Sequence, residues 1–123
     1  MKKDIETRGD IELLVNAFYE KVKVDPVIGP IFMDVFFVHW EKHLHVMFDF
    51  WENALFYTGS YAGNPMVVHQ KVHRVFPLND EHFKRWLLLF TGTIDELFEG
   101  AKAVLAKQRA ISIATVMKIK ILQ

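Results

Sequence analysis

Apolar residues recur every three or four positions over most of the chain, and this spacing predicts helices. The first predicted helix covers about 11–24, and Asp10, which follows a glycine, has the side chain of a helix N-cap. Asp25-Pro26 ends this helix, and 28–36 is expected to form a turn followed by a short helix. The apolar face of the first helix is formed by Leu14, Val15, Phe18, Tyr19 and Val22.

The middle of the chain predicts one long and one short helix. Helical spacing of apolar residues runs from Phe37 to Tyr57. A loop over 58–64 follows, and Asn64-Pro65 provides an N-cap and a first helical residue for a helix that ends near Arg74. Because loops flank this short helix on both sides, nothing ensures that both of its faces pack against other helices. Such a helix suits a ligand as its packing partner.

The C-terminal part predicts two further helices. Asn79 or Asp80 caps a long helix that reaches Leu97. Gly100 separates it from a last helix over 101–121, whose narrow apolar stripe is Ala103, Ala106, Ala110, Ile113, Ala114 and Met117. No segment alternates with a period of two residues, so the predicted fold class is all-α.

Composition describes one globular domain over 1–123, with 51% apolar residues and an aromatic set that includes eleven Phe and three Trp. Fifteen basic and fifteen acidic residues balance, and no half is strongly basic, so nucleic acid is not an expected partner. The charged N-terminus lacks the apolar core of a secretion signal. No apolar run reaches the roughly 18 residues of a membrane span. A cytoplasmic location without membrane association is the expectation.

The chain contains no cysteine. This excludes disulfides, thiolate-bound zinc, iron–sulfur clusters, thiolate-ligated haem and haem attached through thioether bonds.

Histidines are the candidate ligands, because His39 and His43, and again His69 and His73, lie one helical turn apart. A zinc-protease motif needs Glu directly after its first His, and Trp40 stands there instead. A carboxylate-bridged di-iron bundle needs Glu-x-x-His, which the chain lacks. A site for a bare zinc or iron ion built from these four histidines stays open.

Helical angles separate the histidines further. His43 lies on the apolar face of its helix, whereas His45 lies on the opposite face and is expected in solvent. His43 could be a core histidine bonded to backbone. Tyr19 and Trp86 also place polar groups on apolar faces, where those groups need partners. A large, flat, apolar cofactor with a central metal would use all three side chains, and haem fits this description.

The sequence resembles the group III truncated haemoglobins over about Ile11 to Met117. The resemblance is carried by "FYEKV" (18–22), "GPIF" (29–32), "WEKHL" (40–44), "FW" (50–51), "GNPMVVH" (63–69), "HFKRWLLLF" (82–90) and "RA" (109–110). Single pieces are weak, but their order and spacing are specific. The resemblance implies a truncated globin, a two-over-two helical sandwich around non-covalent haem b.

The same resemblance assigns roles to individual residues. His69 matches the proximal iron ligand, and Tyr19, His43 and Trp86 match the polar distal residues that face a bound ligand. His73 and Arg74 are candidates for the haem propionates, with solvent exposure of His73 left open. The full set expected to contact haem is Phe32, Met47, Phe50, Trp51, His69, His73, Arg74 and Phe76.

These residues predict a protein that binds O₂, CO and NO at a histidine-ligated iron and releases O₂ slowly. Each hydrogen bond to a partially negative ligand is worth roughly 1.5–3 kcal/mol. Such retention suits redox chemistry on NO, peroxide or sulfide, with electrons from an unidentified reductase. A peroxidase-like enzyme is the alternative, and a gas sensor is less favoured because the chain shows no fused output domain.

Overall fold

The computed structural model describes residues 2–31, 40–57 and 78–122, and four long helices account for most of them. These are α1 (Arg8–Val24), α2 (Trp40–Phe56), α3 (Asp80–Leu97) and α4 (Ala101–Leu122). No strand occurs in the described ranges, and the all-α prediction is confirmed. A turn over 26–28 leads into helical backbone at 29–31, as expected, whereas the predicted helix at 65–74 lies outside the described residues.

Helix α1 begins three residues earlier than predicted, and the assignment of Asp10 as its N-cap is wrong. Thr7 is the N-cap, and its hydroxyl accepts a hydrogen bond from Asp10 N at 3.2 Å. The Asp10 carboxylate returns the contact by accepting from Thr7 N at 3.1 Å, which completes a capping box. Thr and Asp both cap helices well, so the sequence is compatible with a helix start after Thr7 or after Asp10. The two reciprocal hydrogen bonds of the capping box favour the start after Thr7.

The start of α3 matches the prediction. Asn79 caps it by accepting from His82 N at 3.2 Å, and His82 Nδ1 accepts from Asn79 N at 3.0 Å. The start of α4 uses a residue that sequence reasoning did not consider. Asp4 accepts from the backbone N–H groups of Lys102 and Ala103, each at 2.9 Å, and so caps a helix 98 residues further along the chain.

The four helices surround one core. Helix α1 packs against α2 and α3, and α4 packs against α3 and α2. The predicted apolar face of α1 is buried throughout, and Phe18 at its centre meets Phe90 of α3 edge to face at 5.1 Å. The alanines of the α4 stripe are also buried, and their small side chains allow α3 and α2 to approach α4 closely. None of the helices described is long and apolar enough to cross a membrane.

Candidate functional site

Tyr19 places a polar group inside the core. It lies on the buried face of α1 between Phe18 and Val22, and only 5% of it is exposed. Its phenolic oxygen lies 2.9 Å from Nε2 of His43 on α2. Burial raises the pKa of Tyr19 above its ordinary value, so the phenol keeps its proton and remains a hydrogen-bond donor at physiological pH.

His43 meets Tyr19 from the first turn of α2. Its half-buried ring packs edge to face on the Tyr19 ring, with centroids 5.3 Å apart. Neutral histidine carries a proton on one ring nitrogen, so the direction of the Tyr19–His43 bond depends on the tautomer. Met47 and Phe50 follow His43 on the same helical face, and both are half-buried.

Trp86 reaches the same aromatic cluster from α3. It is half-buried, and its ring lies parallel to that of Phe90, with centroids 5.5 Å apart. The Phe18 ring lies beside Trp86 at 6.0 Å and beside Tyr19 at 4.9 Å, both edge to face. The structure therefore joins Tyr19 to His43 by a hydrogen bond and places Trp86 beside the ring that adjoins Tyr19.

Trp51 differs from the other α2 residues of the predicted set. It is 3% exposed and stacks on Phe90 at 4.6 Å, so it packs against the opposite helix. Phe50 meets its edge at 5.2 Å. Phe90 thus lies between two indoles, those of Trp51 and Trp86. The sequence signal for this stack was the four-residue spacing of Trp86 and Phe90, which places both rings on one face of α3.

The remaining predicted site residues divide between solvent and the undescribed parts of the chain. His45 is exposed, as expected, and its ring meets Phe48 at 5.4 Å. Within the ranges 2–31, 40–57 and 78–122, no three His, Cys, Asp or Glu side chains gather in a way that could hold a metal ion. Outside the described residues lie His39, Phe32, His69, His73, Arg74 and Phe76.

An ion pair between a buried carboxylate and a partly exposed arginine lies next to Trp86 along the chain, and sequence reasoning missed it. The Asp25 carboxylate, just after α1, accepts a 2.6 Å hydrogen bond from Nε of Arg85, the residue before Trp86. It also accepts from the backbone N–H groups of Val27 and Ile28, both at 3.0 Å. Burial opposes ionisation of Asp25, but these three donors outweigh it and lower its pKa. The sequence signal is the Asp-Pro pair itself, because an Asp at a helix end also accepts hydrogen bonds from the backbone of the following turn.

The described residues form an all-helical fold with an aromatic core, and the Tyr19–His43 hydrogen bond places a polar pair between α1 and α2. The chain belongs to the bacterial-like globin family, whose model matches residues 4–121. It is 30% identical over 118 residues to the group 3 truncated hemoglobin ctb of Campylobacter jejuni, covering 94% of this chain and 91% of that protein.

The fold likeness is equally extensive. The crystal structure of a group III truncated hemoglobin from Campylobacter jejuni matches with a TM-score of 0.87 at 29% identity, over 98% of this chain and 95% of that one. The resemblance inferred from the sequence is confirmed. Membership of this family implies a haem cofactor and small diatomic ligands.

The described side chains fit such a cofactor. Met47 and Phe50 keep part of their apolar surface uncovered on the same face of α2 as His43. The acidic residues of that helix, Glu41, Asp49 and Glu52, lie on its other side by helical angle. A face that combines apolar surface with a few N–H and O–H groups suits a hydrophobic macrocycle and a small uncharged ligand.

Proposed function

We propose that this globin binds haem b non-covalently through His69 and retains O₂ through the polar distal residues Tyr19, His43 and Trp86. The observation that carries the proposal is the buried Tyr19 hydroxyl, 2.9 Å from His43 Nε2. A phenol on an apolar helix face needs a polar partner, and a ligand pocket explains why the core holds one. CO and NO are ligands of the same class.

When bound, haem supplies an iron with one open coordination position for a diatomic ligand. The side chains of the protein determine the affinity for the ligand and the rate of its release. If His43 carries its proton on Nε2, it donates to the Tyr19 oxygen, and the phenol hydrogen is then free to point toward the ligand. The raised pKa of Tyr19 keeps that hydrogen in place. In the other tautomer, Tyr19 donates to His43 and is a poorer donor to the ligand.

Trp86 supplies a second donor, because an indole N–H donates but does not accept. Its ring is held parallel to Phe90 and edge-on to Phe18, so its orientation is set by packing on two sides. Two donors of roughly 1.5–3 kcal/mol each would slow the release of a partially negative ligand far below the rate useful for oxygen delivery. A protein that retains O₂ for this long is better suited to a reaction of the bound ligand than to oxygen delivery.

The reaction that we favour is redox chemistry on NO, peroxide or sulfide, with electrons from a separate reductase in the cytoplasm. A peroxidase-like enzyme would turn over with peroxide and a small reductant alone, without such a partner. Assays with NO and with peroxide, each with and without a reductase, separate these two functions.

Ligation by His69 is tested by spectroscopy of the haem-loaded protein. His69→Gly should abolish the five-coordinate imidazole spectrum of the reduced protein, and added imidazole should restore it. His73→Ala and His45→Ala are the matched controls and should leave the spectrum unchanged. Loss of haem in His73→Ala with retention in His69→Gly would contradict the assignment and place the ligand one helical turn later. Unchanged spectra in all three variants would contradict histidine ligation by either residue.

A further inference from the structure

We propose that Asp25 is a positioning residue for the ligand pocket. Through its ion pair with Arg85 it holds α3 against the end of α1, and this fixes where the Trp86 indole stands relative to the Tyr19 phenol. The inference rests on the proposed function in one respect, namely that Tyr19 and Trp86 both face the bound ligand.

The Asp25 carboxylate is itself held rigidly. Its side chain is 2% exposed, and two backbone N–H groups of the following turn, those of Val27 and Ile28, fix one of its oxygens. The turn is tight, because a Cβ atom at Gly29 would lie 2.7 Å from the carbonyl oxygen of Val22. If α3 moved, the Asp25 carboxylate could keep its bond to Arg85 only by breaking its hydrogen bonds to the Val27 and Ile28 N–H groups.

The ion pair lies next to the two donors along the chain. Asp25 follows Tyr19 by six residues, at the C-cap of α1, and Arg85 directly precedes Trp86. Stacking on Phe90 and the edge contact with Phe18 set the tilt of the Trp86 ring, but contacts between rings are less directional than a charge-assisted hydrogen bond. The 2.6 Å bond from Arg85 Nε to Asp25 Oδ1 is directional, so it restrains the remaining movement along the stack.

The chain offers a matched control. Lys21 and Glu96 form a second ion pair between α1 and α3, at 2.7 Å, but the Glu96 side chain is 63% exposed. Solvent screens this pair, and flexible side chains absorb its loss. If any link between the two helices sufficed, both pairs would matter equally. If the Asp25–Arg85 pair positions Trp86, only the loss of that pair should alter the indole position and the release of O₂.

The test compares Asp25→Asn, Arg85→Lys and the control Glu96→Gln, all below their unfolding temperatures. In ¹⁵N-tryptophan-labelled protein without haem, the indole N–H resonance of Trp86 is assigned by its loss in Trp86→Phe. We expect this resonance to shift in Asp25→Asn and Arg85→Lys and to stay in place in Glu96→Gln. In the haem-loaded protein, O₂ dissociation should accelerate about fivefold in the first two variants, equivalent to roughly 1 kcal/mol, and CO dissociation should change much less.

The outcomes distinguish positioning from simple stabilisation. If Asp25→Asn lowers the unfolding temperature but leaves both the indole resonance and O₂ dissociation unchanged, the ion pair is only structural and the inference is wrong. Should Asp25→Asn fail to fold, Arg85→Lys decides, since it keeps the positive charge but replaces the guanidinium and its Nε donor by an ammonium group in a different position. A shifted resonance together with no effect of Trp86→Phe on O₂ dissociation would support the positioning and overturn the ligand contact of the proposed function.

Discussion

The phenolic oxygen of Tyr19 and Nε2 of His43 lie 2.9 Å apart, and this hydrogen bond joins the buried face of α1 to α2. In the proposed function, both residues also face the bound diatomic ligand. A bond that helps to hold two helices together and also orients a ligand donor couples stability to ligand affinity. Changes to either residue should therefore be measured with and without the cofactor.

In the ligand-free protein, the Tyr19–His43 bond should be measurable as a coupling energy. Tyr19→Phe and His43→Leu, alone and together, should give a coupling of about 1 kcal/mol in the free energy of unfolding by urea, because a buried hydrogen bond is worth that much. The control is Tyr57→Phe with His43→Leu, since Tyr57 is 70% exposed. Its coupling should be near zero. Additive effects of Tyr19→Phe and His43→Leu would show that the bond is not made in solution.

The Asp4 cap of α4 predicts a strong effect from the N-terminal segment. Asp4→Ala leaves the N–H groups of Lys102 and Ala103 without their acceptor and should cost about 1–2 kcal/mol of stability. Asp4→Asn keeps one acceptor oxygen and should lose less. Urea unfolding followed by circular dichroism measures both changes. Equal stability of Asp4→Ala and the parent protein would contradict capping by this residue.

Acid should destabilise the fold through three aspartates. Burial alone would raise the pKa values of Asp4, Asp10 and Asp25, but their hydrogen-bond donors outweigh it and lower all three. A carboxylate with a lowered pKa in the folded state adds stability above the unfolded pKa of about 3.9, and that stability is lost as the pH falls through the folded value. The contribution of these three groups to the free energy of unfolding should thus be fully present above about pH 5 and fall steeply below about 4.

Removing one of the three carboxylates should weaken that acid dependence. The slope of unfolding free energy against pH below about 4 should be shallower in Asp4→Asn than in the parent protein, since one fewer group takes up a proton on unfolding. Titration by circular dichroism at fixed urea concentrations gives the slope. Identical slopes in the two proteins would mean that the pKa of Asp4 is not lowered.

Tyr57, directly after α2, adopts a backbone conformation that favours glycine. Its φ of 57° is in the left-handed region, and its side chain is exposed. Tyr57→Gly should relieve about 1 kcal/mol of strain and raise the unfolding temperature. Tyr57→Ala, which removes the ring but keeps Cβ, isolates this effect from the loss of the contact with Lys102. A glycine variant no more stable than the alanine variant would contradict relief of strain.

Helix positions and the buried faces followed from apolar spacing, because a 3.6-residue repeat determines which side of a helix is buried. Tyr19 and His43 were recognised as polar groups on such faces, and the structure adds the hydrogen bond between them. The Asp4 cap and the Asp25–Arg85 pair were not predicted, since each joins residues 60 or more positions apart, which no local pattern relates. The start of α1 was misplaced because Thr7 and Asp10 both cap helices well.

The central claim is that Tyr19 donates a hydrogen bond to O₂ held in the pocket, and Tyr19→Phe in the haem-loaded protein tests it most directly. The substitution keeps the ring that packs on Phe18 and deletes only the hydroxyl. Rates should be measured both in the parent background and in Trp86→Phe, because a neighbouring donor can replace a lost one.

The account predicts that O₂ dissociation accelerates at least about tenfold, equivalent to roughly 1.4 kcal/mol, while CO dissociation, from a less polar adduct, changes much less. An equal change for both ligands would indicate a general loosening of the pocket. An unchanged O₂ dissociation rate in both backgrounds would show that Tyr19 only packs the core, and it would contradict the account.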